Sequence, residues 1–138
     1  MSHPVHTTID GLVQRPSPLS ARQTADRVES LVRERGLTVF ARIDHAAGAE
    51  AAGLALRPTE LFIVGNAMGG TPLMVSAQTA AIDLPLKILV WEDEAGQVWL
   101  GYNDPVWIAQ RHGAADSPVG LKLRAVLQQL AEAAVQQT

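Results

Sequence analysis

The 138-residue sequence contains no cysteine. This excludes disulfides, thiolate zinc sites, iron–sulfur clusters and a cysteine nucleophile. Aromatic residues make up only 4% of the chain, too few for the stacking platforms that hold single-stranded nucleic acids. With 11 Lys+Arg against 14 Asp+Glu the formal charge is -3, so the basic surplus that binds phosphate backbones is also missing. We therefore expect no nucleic-acid partner.

Long apolar runs and a targeting segment are absent as well. No run approaches the roughly 20 residues of a membrane helix, and residues 1–6 (MSHPVH) show no basic stretch followed by an apolar one. We expect no membrane partner and a cytoplasmic location. The remaining composition, 47% hydrophobic and 18% charged, is that of a globular protein. Its length predicts a single domain over residues 1–138 with a core of its own.

Two amphipathic helices are predicted near the two ends of the chain. The first covers residues 20–35, because Ser20 and Gln23 form a capping box at its start and Gly36 ends its apolar stripe. The second covers residues 118–136, with Ser117 as its cap, a proline at its first position and Leu127 on its apolar face.

Five strands and three short helical inserts account for most of the remaining chain. Alternating or continuous apolar patterns place the strands at residues 7–14, 37–43, 59–65, 84–92 and 97–102. The inserts are placed at residues 45–52, 72–80 and 105–111. The order is β-α-β-β-β-β-α with short helical inserts. This order predicts an α+β fold of two layers, in which amphipathic helices cover one face of a largely antiparallel sheet.

A series of short motifs in the centre of the chain resembles the bacterial and archaeal family called domain of unknown function 302. The motifs are HAAGAEAAG (45–53), LRPTEL (56–61), GN (65–66), GTPLM (70–74), IDLPLK (82–87), WED (91–93), YNDP (102–105) and RH (111–112). The resemblance covers residues 8–112 or so, the family-like core of the domain. It implies a β-α-β(4)-α fold like that of the TATA-binding protein, and a homodimer. It implies neither an activity nor DNA binding, since a shared fold does not carry a function.

The glycine-rich stretch at residues 65–71 (GNAMGGT) has two interpretations. It is a ligand loop, or it is a plain turn in which Gly69 and Gly70 adopt positive φ and Thr71 caps a helix begun by Pro72. It lacks the Gly-Lys-Ser/Thr ending of a phosphate-binding P-loop. Members of the family often carry proline and lysine where this chain has Ala67 and Met68. This chain therefore lacks the lysine cation that would support phosphate binding by the stretch.

Few titratable residues are candidates for chemistry. His45, beside a helix cap, and Asp83, at the start of an apolar strand, are the acid/base candidates. Asp83 is expected to pair with Arg57, Lys87 or Arg111, because buried charges need partners. The acidic residues 92–94 at a hairpin tip, with Asp83, are either cation ligands or solvated turn residues. The histidines lack metal-binding spacing, and no metal or cofactor is predicted.

The favoured hypothesis is a homodimeric domain that binds or senses a small molecule. Residues 65–74 are expected beside the sheet, with Asn66 or Thr71 at least partly buried and Asp83 close to them. The ligand-binding candidates are Asn66, Gly69, Gly70, Thr71, Asp83, Tyr102 and Asn103. The alternatives are an interaction module without a ligand and, less favoured, an enzyme that uses His45 or Asp83. The aromatic residues Trp91, Trp99 and Tyr102 on the paired strands are expected to be core or interface anchors.

Overall fold

The computed structural model describes residues 8–137, so Thr7, where the first strand was predicted to begin, lies outside the described residues. The elements are β1 (Leu12–Ser17), α1 (Ala21–Glu34), β2 (Thr38–Asp44), α2 (His45–Ala51), β3 (Thr59–Gly65), α3 (Ala67–Ser76), the 3₁₀ helix η1 (Gln78–Asp83), β4 (Leu86–Glu92), β5 (Val98–Asn103), α4 (Pro105–Arg111) and α5 (Pro118–Ala134). None of the helices among these residues is long and apolar enough to cross a membrane.

The five strands form one antiparallel sheet in the order β1-β5-β4-β3-β2. This confirms the predicted α+β class and the predicted strand count. The first strand is displaced relative to the sequence prediction, because Gly11 adopts a φ of +78° in a turn and pairing starts only at Leu12. The capping box of Ser20 and Gln23 is present at the start of α1.

Helices α1 and α5 cover one face of the sheet. Their buried residues include Val28, Leu127 and Leu130, which pack against Phe62 and Leu100 of the sheet. A second buried cluster joins α3, η1, α4 and the start of α5, with Leu73 and Ile108 at its centre. The two-layer arrangement predicted from the sequence is therefore confirmed.

The opposite face of the sheet, here called the helix-free face, is formed by the alternate positions of each strand. Strand register assigns it Leu12, Gln14, Pro16, Ala41, Ile43, Thr59, Leu61, Ile63, Lys87, Leu89, Trp91, Trp99, Gly101 and Asn103. None of these residues belongs to either of the buried clusters found in residues 8–137. Trp91 and Trp99 stack with their ring centroids 6.5 Å apart, and the Trp91 ring lies over Gly101, where a Cβ would come within 2.9 Å of it.

Candidate functional site

The glycine-rich stretch folds as helix α3, not as a loop. Asn66 is the N-cap, and its Oδ1 accepts a hydrogen bond from the backbone N–H of Gly69 at 2.7 Å. The prediction that Thr71 caps a helix begun by Pro72 is therefore wrong, since Pro72 lies inside the helix. Glycine and proline are poor helix formers, which is why the sequence indicated a turn; the Asn66 cap and packing against α5 hold the helix instead.

Gly69 is required for a close approach between helices. A Cβ at this position would lie 3.2 Å from Asn66 Oδ1 and 3.4 Å from Leu123 Cδ2 of α5. The prediction of positive φ at Gly69 and Gly70 is wrong, because both are helical. The left-handed requirement falls on Gly65 instead, whose φ is +147° where β3 ends. The sequence thus correctly predicted a glycine with positive φ in this segment but assigned it to the wrong glycines.

A cavity of about 430 Å³ lies between the start of β2, the end of β3, the first turns of α3, the start of β4 and helix α5. Its lining is almost entirely apolar. The lining residues are Leu37, Phe40, Val64, Gly65, Asn66, Ala67, Gly69, Gly70, Thr71, Met74, Leu84, Pro85, Leu86, Leu123 and Val126. Four of the seven predicted ligand-binding residues, Asn66, Gly69, Gly70 and Thr71, are among them. The prediction placed this segment beside the sheet, and that is where it lies.

Two side chains in the cavity lining are polar. Asn66 uses its Oδ1 for the helix cap, which leaves its Nδ2 amide as a hydrogen-bond donor. In the described part of the chain, neither Asn66 Nδ2 nor the Thr71 hydroxyl has a protein hydrogen-bond partner. Both residues are exposed rather than partly buried as predicted. They therefore offer one fixed amide donor and one hydroxyl at the rim of an apolar space.

No Asp, Glu, Lys, Arg or His side chain lines this cavity. A charged group entering it would lose water without gaining a counter-charge, which costs several kcal/mol or more. The arrangement suits an uncharged and mainly apolar molecule that carries a hydrogen-bond acceptor for Asn66 Nδ2.

Asp83 lies in a different polar cluster, and the prediction that it joins Asn66 and Thr71 is not met. It stands at the end of η1, three residues before β4, and its carboxylate accepts two hydrogen bonds from Arg111 Nη1 at 2.8 and 3.0 Å. A further hydrogen bond comes from His112 Nε2 at 2.6 Å. Of the three partners predicted for Asp83, Arg111 is the one found, and His112 is an additional partner that the sequence did not indicate.

The electrostatics of Asp83 follow from these contacts. Partial burial raises the pKa of the Asp83 carboxyl, but the hydrogen bonds and charges of His112 and Arg111 outweigh that effect, so its pKa lies below the ordinary value. A lowered pKa makes this carboxylate a weaker base, whereas proton-transfer groups work best with a pKa near the operating pH. The Asp83 cluster instead joins η1 to the end of α4.

The hydroxyl of Thr79 extends this cluster, since its Oγ1 lies 2.9 Å from His112 Nδ1. A hydroxyl, an imidazole and a carboxylate in a chain are the groups of a nucleophile-activating triad. Here the carboxylate is already bound by Arg111, and none of the four residues lines the apolar cavity. No local sequence pattern predicts this hydrogen-bonded series of side chains, because its residues are separated by up to 33 positions.

The remaining predicted residues are dispersed. Tyr102 is 2% exposed inside the main core, and burial raises the pKa of its hydroxyl. Asn103 lies on the helix-free face. His45 is the first residue of α2 and is exposed, and among residues 8–137 its side chain has no hydrogen-bond or ionic partner. The structure does not bring His45 and Asp83 into one acid/base site.

The acidic hairpin tip is a turn. Asp93 Oδ1 accepts hydrogen bonds from the backbone N–H groups of Ala95 and Gln97, both at 2.9 Å, and its Oδ2 accepts one from Trp99 Nε1 at 2.8 Å. The Trp99 hydrogen bond is the main reason that the pKa of Asp93 is lowered. No group of three or more His, Asp or Glu residues in the described chain is placed to hold a metal ion.

The apolar wall of the cavity is the part that sequence reasoning missed. The wall is formed by residues from three elements, β2, α3 and α5: Phe40, Met74, Leu123 and Val126. In the sequence, none of them can be distinguished from an ordinary core residue. Only the half-exposed state of Phe40, 54% accessible in the folded chain, distinguishes it from core, and that property is not visible in the sequence.

Comparison with known proteins supplies the family. The family described as "Domain of unknown function DUF302" matches residues 13–133. The protein named "Fluoride-specific ion channel FluC 1" of Brucella suis biovar 1 (strain 1330) is 48% identical over 121 residues, which cover 86% of this chain and 48% of that protein. The protein of the same name from Brucella abortus biovar 1 (strain 9-941) is also 48% identical and is covered over 45% of its length. The chain thus spans about half the length of these curated relatives.

A solved structure supports the fold. The crystal structure of an uncharacterized conserved DUF302 protein from Bacillus stearothermophilus superposes with a TM-score of 0.70 at 16% identity. The match covers 92% of this chain and 97% of the other. Likeness at this identity shows the fold alone, and it agrees with the fold that the motifs implied. Since the family match covers most of the sequence, this chain belongs to the family Domain of unknown function DUF302.

Proposed function

We propose that this protein is a small-molecule-binding or sensing domain whose ligand is an uncharged, mainly apolar compound. The cavity between β2, β3, α3 and α5 carries this proposal. Its volume of about 430 Å³ falls within the roughly 300–1,000 Å³ of small-molecule sites. The homodimer and the cytoplasmic location expected from the sequence belong to the same proposal.

The chemistry of the lining supports a particular class of ligand. An apolar wall gains free energy in proportion to the apolar area it removes from water, and here that wall includes Phe40, Met74 and Leu123. A single fixed donor, Asn66 Nδ2, orients a carbonyl or ether oxygen of the ligand. This combination of a large apolar surface and few polar groups is typical of pockets that bind small organic molecules.

The name of the Brucella relatives raises a different possibility, the binding of fluoride. A small anion needs hydrogen-bond donors and positive charge, and no cation lines this cavity. We therefore propose that this half of those relatives contributes ligand sensing, and that the ion specificity in their name does not extend to this cavity.

The experiment uses the uncharged fluorophore N-phenyl-1-naphthylamine and two matched tryptophan variants. Met74→Trp places an indole in the cavity, whereas Val75→Trp adds the same group one residue away at a position that is 81% exposed. We expect the parent and Val75→Trp to bind the fluorophore with similar affinity, and Met74→Trp to lose at least tenfold in affinity. Equal binding by all three proteins, or no binding by the parent, contradicts the proposal.

A further inference from the structure

We propose that the helix-free face of the sheet is the surface on which a second copy of this chain docks, and that it receives the α2 segment (residues 45–56) of that copy. The ligand cavity opens on the other side of the sheet, beside α3 and α5. This inference rests on the homodimer of the proposed function, whereas the ligand-binding part of that proposal stands or falls separately from it.

The helix-free face has the composition of a buried surface. Leu61, Ile63, Leu89, Trp91 and Trp99 lie on adjacent strands there, and Ile43 on the edge strand is 38% exposed. In antiparallel sheets with one face in water, that face is normally polar. An apolar, aromatic-rich face without a covering layer marks an interaction surface.

The α2 segment is the second surface without a partner. It leaves the sheet after β2 and returns before β3, and no residue of α2 is buried. Six alanines and two leucines occur in residues 45–56, and the leucines, Leu54 and Leu56, are 68% and 48% exposed. The apolar side chains of this segment contribute little to the stability of their own chain, since hydrophobic stabilisation requires burial.

The areas require the two surfaces to act together. Five strands about 4.8 Å apart and about five residues of 3.3 Å rise give the sheet face roughly 400 Å². A stable interface covers about 800 Å² of each partner, so the sheet face alone supplies about half of the area needed. The exposed alanines and leucines of the α2 segment supply apolar surface for the remainder. In a two-fold dimer each copy contributes both surfaces, so each contact is made twice.

Charge complementarity selects a second copy as the occupant. Lys87 is the one charged residue among the helix-free face positions, and Glu50 is the one Asp, Glu, Lys or Arg within residues 45–56. Within the described chain neither residue has an ion-pair partner. Two apolar surfaces of one molecule, each with a single unpaired charge of opposite sign, match each other when Lys87 meets Glu50 of the partner subunit.

Charge-reversal variants of the full chain test this contact. Lys87→Glu and Glu50→Lys each place like charges together, whereas the double variant restores the pair in reverse. Lys122→Glu, an exposed position on α5, is the matched control for the change in net charge. The dimer dissociation constant is measured by sedimentation velocity, and far-ultraviolet circular dichroism checks that each variant is folded.

We expect a dimeric parent, an increase of at least tenfold in the dissociation constant for each single variant, and recovery to within about threefold in the double variant. The Lys122→Glu control should leave the constant unchanged. Leu54→Asp, at a position that is 68% exposed in the folded chain, should also weaken the dimer at least tenfold. A monomeric parent, or a dimer that is indifferent to both Lys87→Glu and Leu54→Asp, overturns the proposal. Retained binding of N-phenyl-1-naphthylamine by the weakened variants shows that the ligand site is unaffected.

Discussion

His112 Nε2 lies 2.6 Å from Asp83 Oδ2, and this contact joins the 3₁₀ helix η1 to the end of helix α4. A carboxylate only accepts, so the imidazole donates, and its other nitrogen is left for the hydroxyl of Thr79. Both partners are largely shielded, with 8% of the His112 side chain and 15% of the Asp83 side chain exposed. In such surroundings a hydrogen bond to a charged group contributes more than a surface ion pair does.

Replacement of Asp83 by asparagine should therefore destabilise the fold near neutral pH by about 1.5–3 kcal/mol, the range for hydrogen bonds to charged groups. The pKa of Asp83 is lower in the folded chain than in the unfolded one, so the native state binds fewer protons. Its stabilisation is present above the unfolded pKa of about 3.9 and is lost as pH falls through the folded value. The measurement is urea denaturation of parent and variant at several pH values from 7 to 3.

Asp116→Asn is the control for this experiment, since Asp116 is exposed and its removal changes the net charge equally. The gap between the parent and Asp83→Asn should narrow below about pH 4, while Asp116→Asn should follow the parent throughout. A gap that stays constant down to pH 3 would show that the Asp83 charge contributes nothing to stability.

Leu127 on α5 is 1% exposed in the main core, as predicted from the apolar stripe of that helix. Truncation to alanine should cost about 2–5 kcal/mol, because it removes buried methyl groups and leaves a cavity. Leu121→Ala on the same helix, at a position that is 61% exposed, should cost less than about 0.5 kcal/mol. Thermal or urea unfolding of the two variants checks the difference, and equal midpoints would remove Leu127 from the core.

Gly11 combines a left-handed backbone with a close side-chain neighbour. Its φ is +78°, and a Cβ there would come within 2.7 Å of the Trp107 ring atom Cε2. Gly96 has a similar φ of +85° but nothing within 4 Å. Alanine at Gly96 should cost roughly 1–2 kcal/mol for the backbone alone, and alanine at Gly11 about 1–3 kcal/mol more for displacing the indole. Similar losses at both positions in urea unfolding would mean that Trp107 moves without cost.

Asn66→Ser separates the two roles of Asn66. Serine caps a helix about as well as asparagine, so stability should change by less than about 0.5 kcal/mol, but the Nδ2 donor is lost. Affinity for an uncharged fluorophore with a ketone, 6-propionyl-2-(dimethylamino)naphthalene, should fall about two- to tenfold, the value of one net hydrogen bond. Affinity for N-phenyl-1-naphthylamine, which has no carbonyl, should stay the same. Equal losses for both fluorophores would show that Asn66 shapes the cavity without donating to a ligand.

The sequence by itself determined the elements and the class of fold. A short, continuous apolar run placed β3 at the residues observed, and the caps predicted at Ser20 and Ser117 are those of the structure. Side-chain alternation puts Val98, Leu100 and Tyr102 on one face of β5, and in the structure that face is buried. These features are local, because capping and side-chain alternation act within a few residues along the chain.

Tertiary structure decided which residues join the predicted Asn66 segment in the candidate site. The helix that begins at Ala67 forms although it contains glycine and proline, which have low helix propensity. It forms because Asn66 caps it and α5 packs on it. Asp83, which was predicted to lie near Asn66, instead forms a hydrogen bond with His112, 29 residues away along the chain. The cavity wall brings Phe40 of β2 beside Leu123 of α5. No local sequence pattern predicts these long-range contacts, because they depend on how the helices pack on the sheet. Within its own segment, each of these residues looks like any other apolar or polar residue.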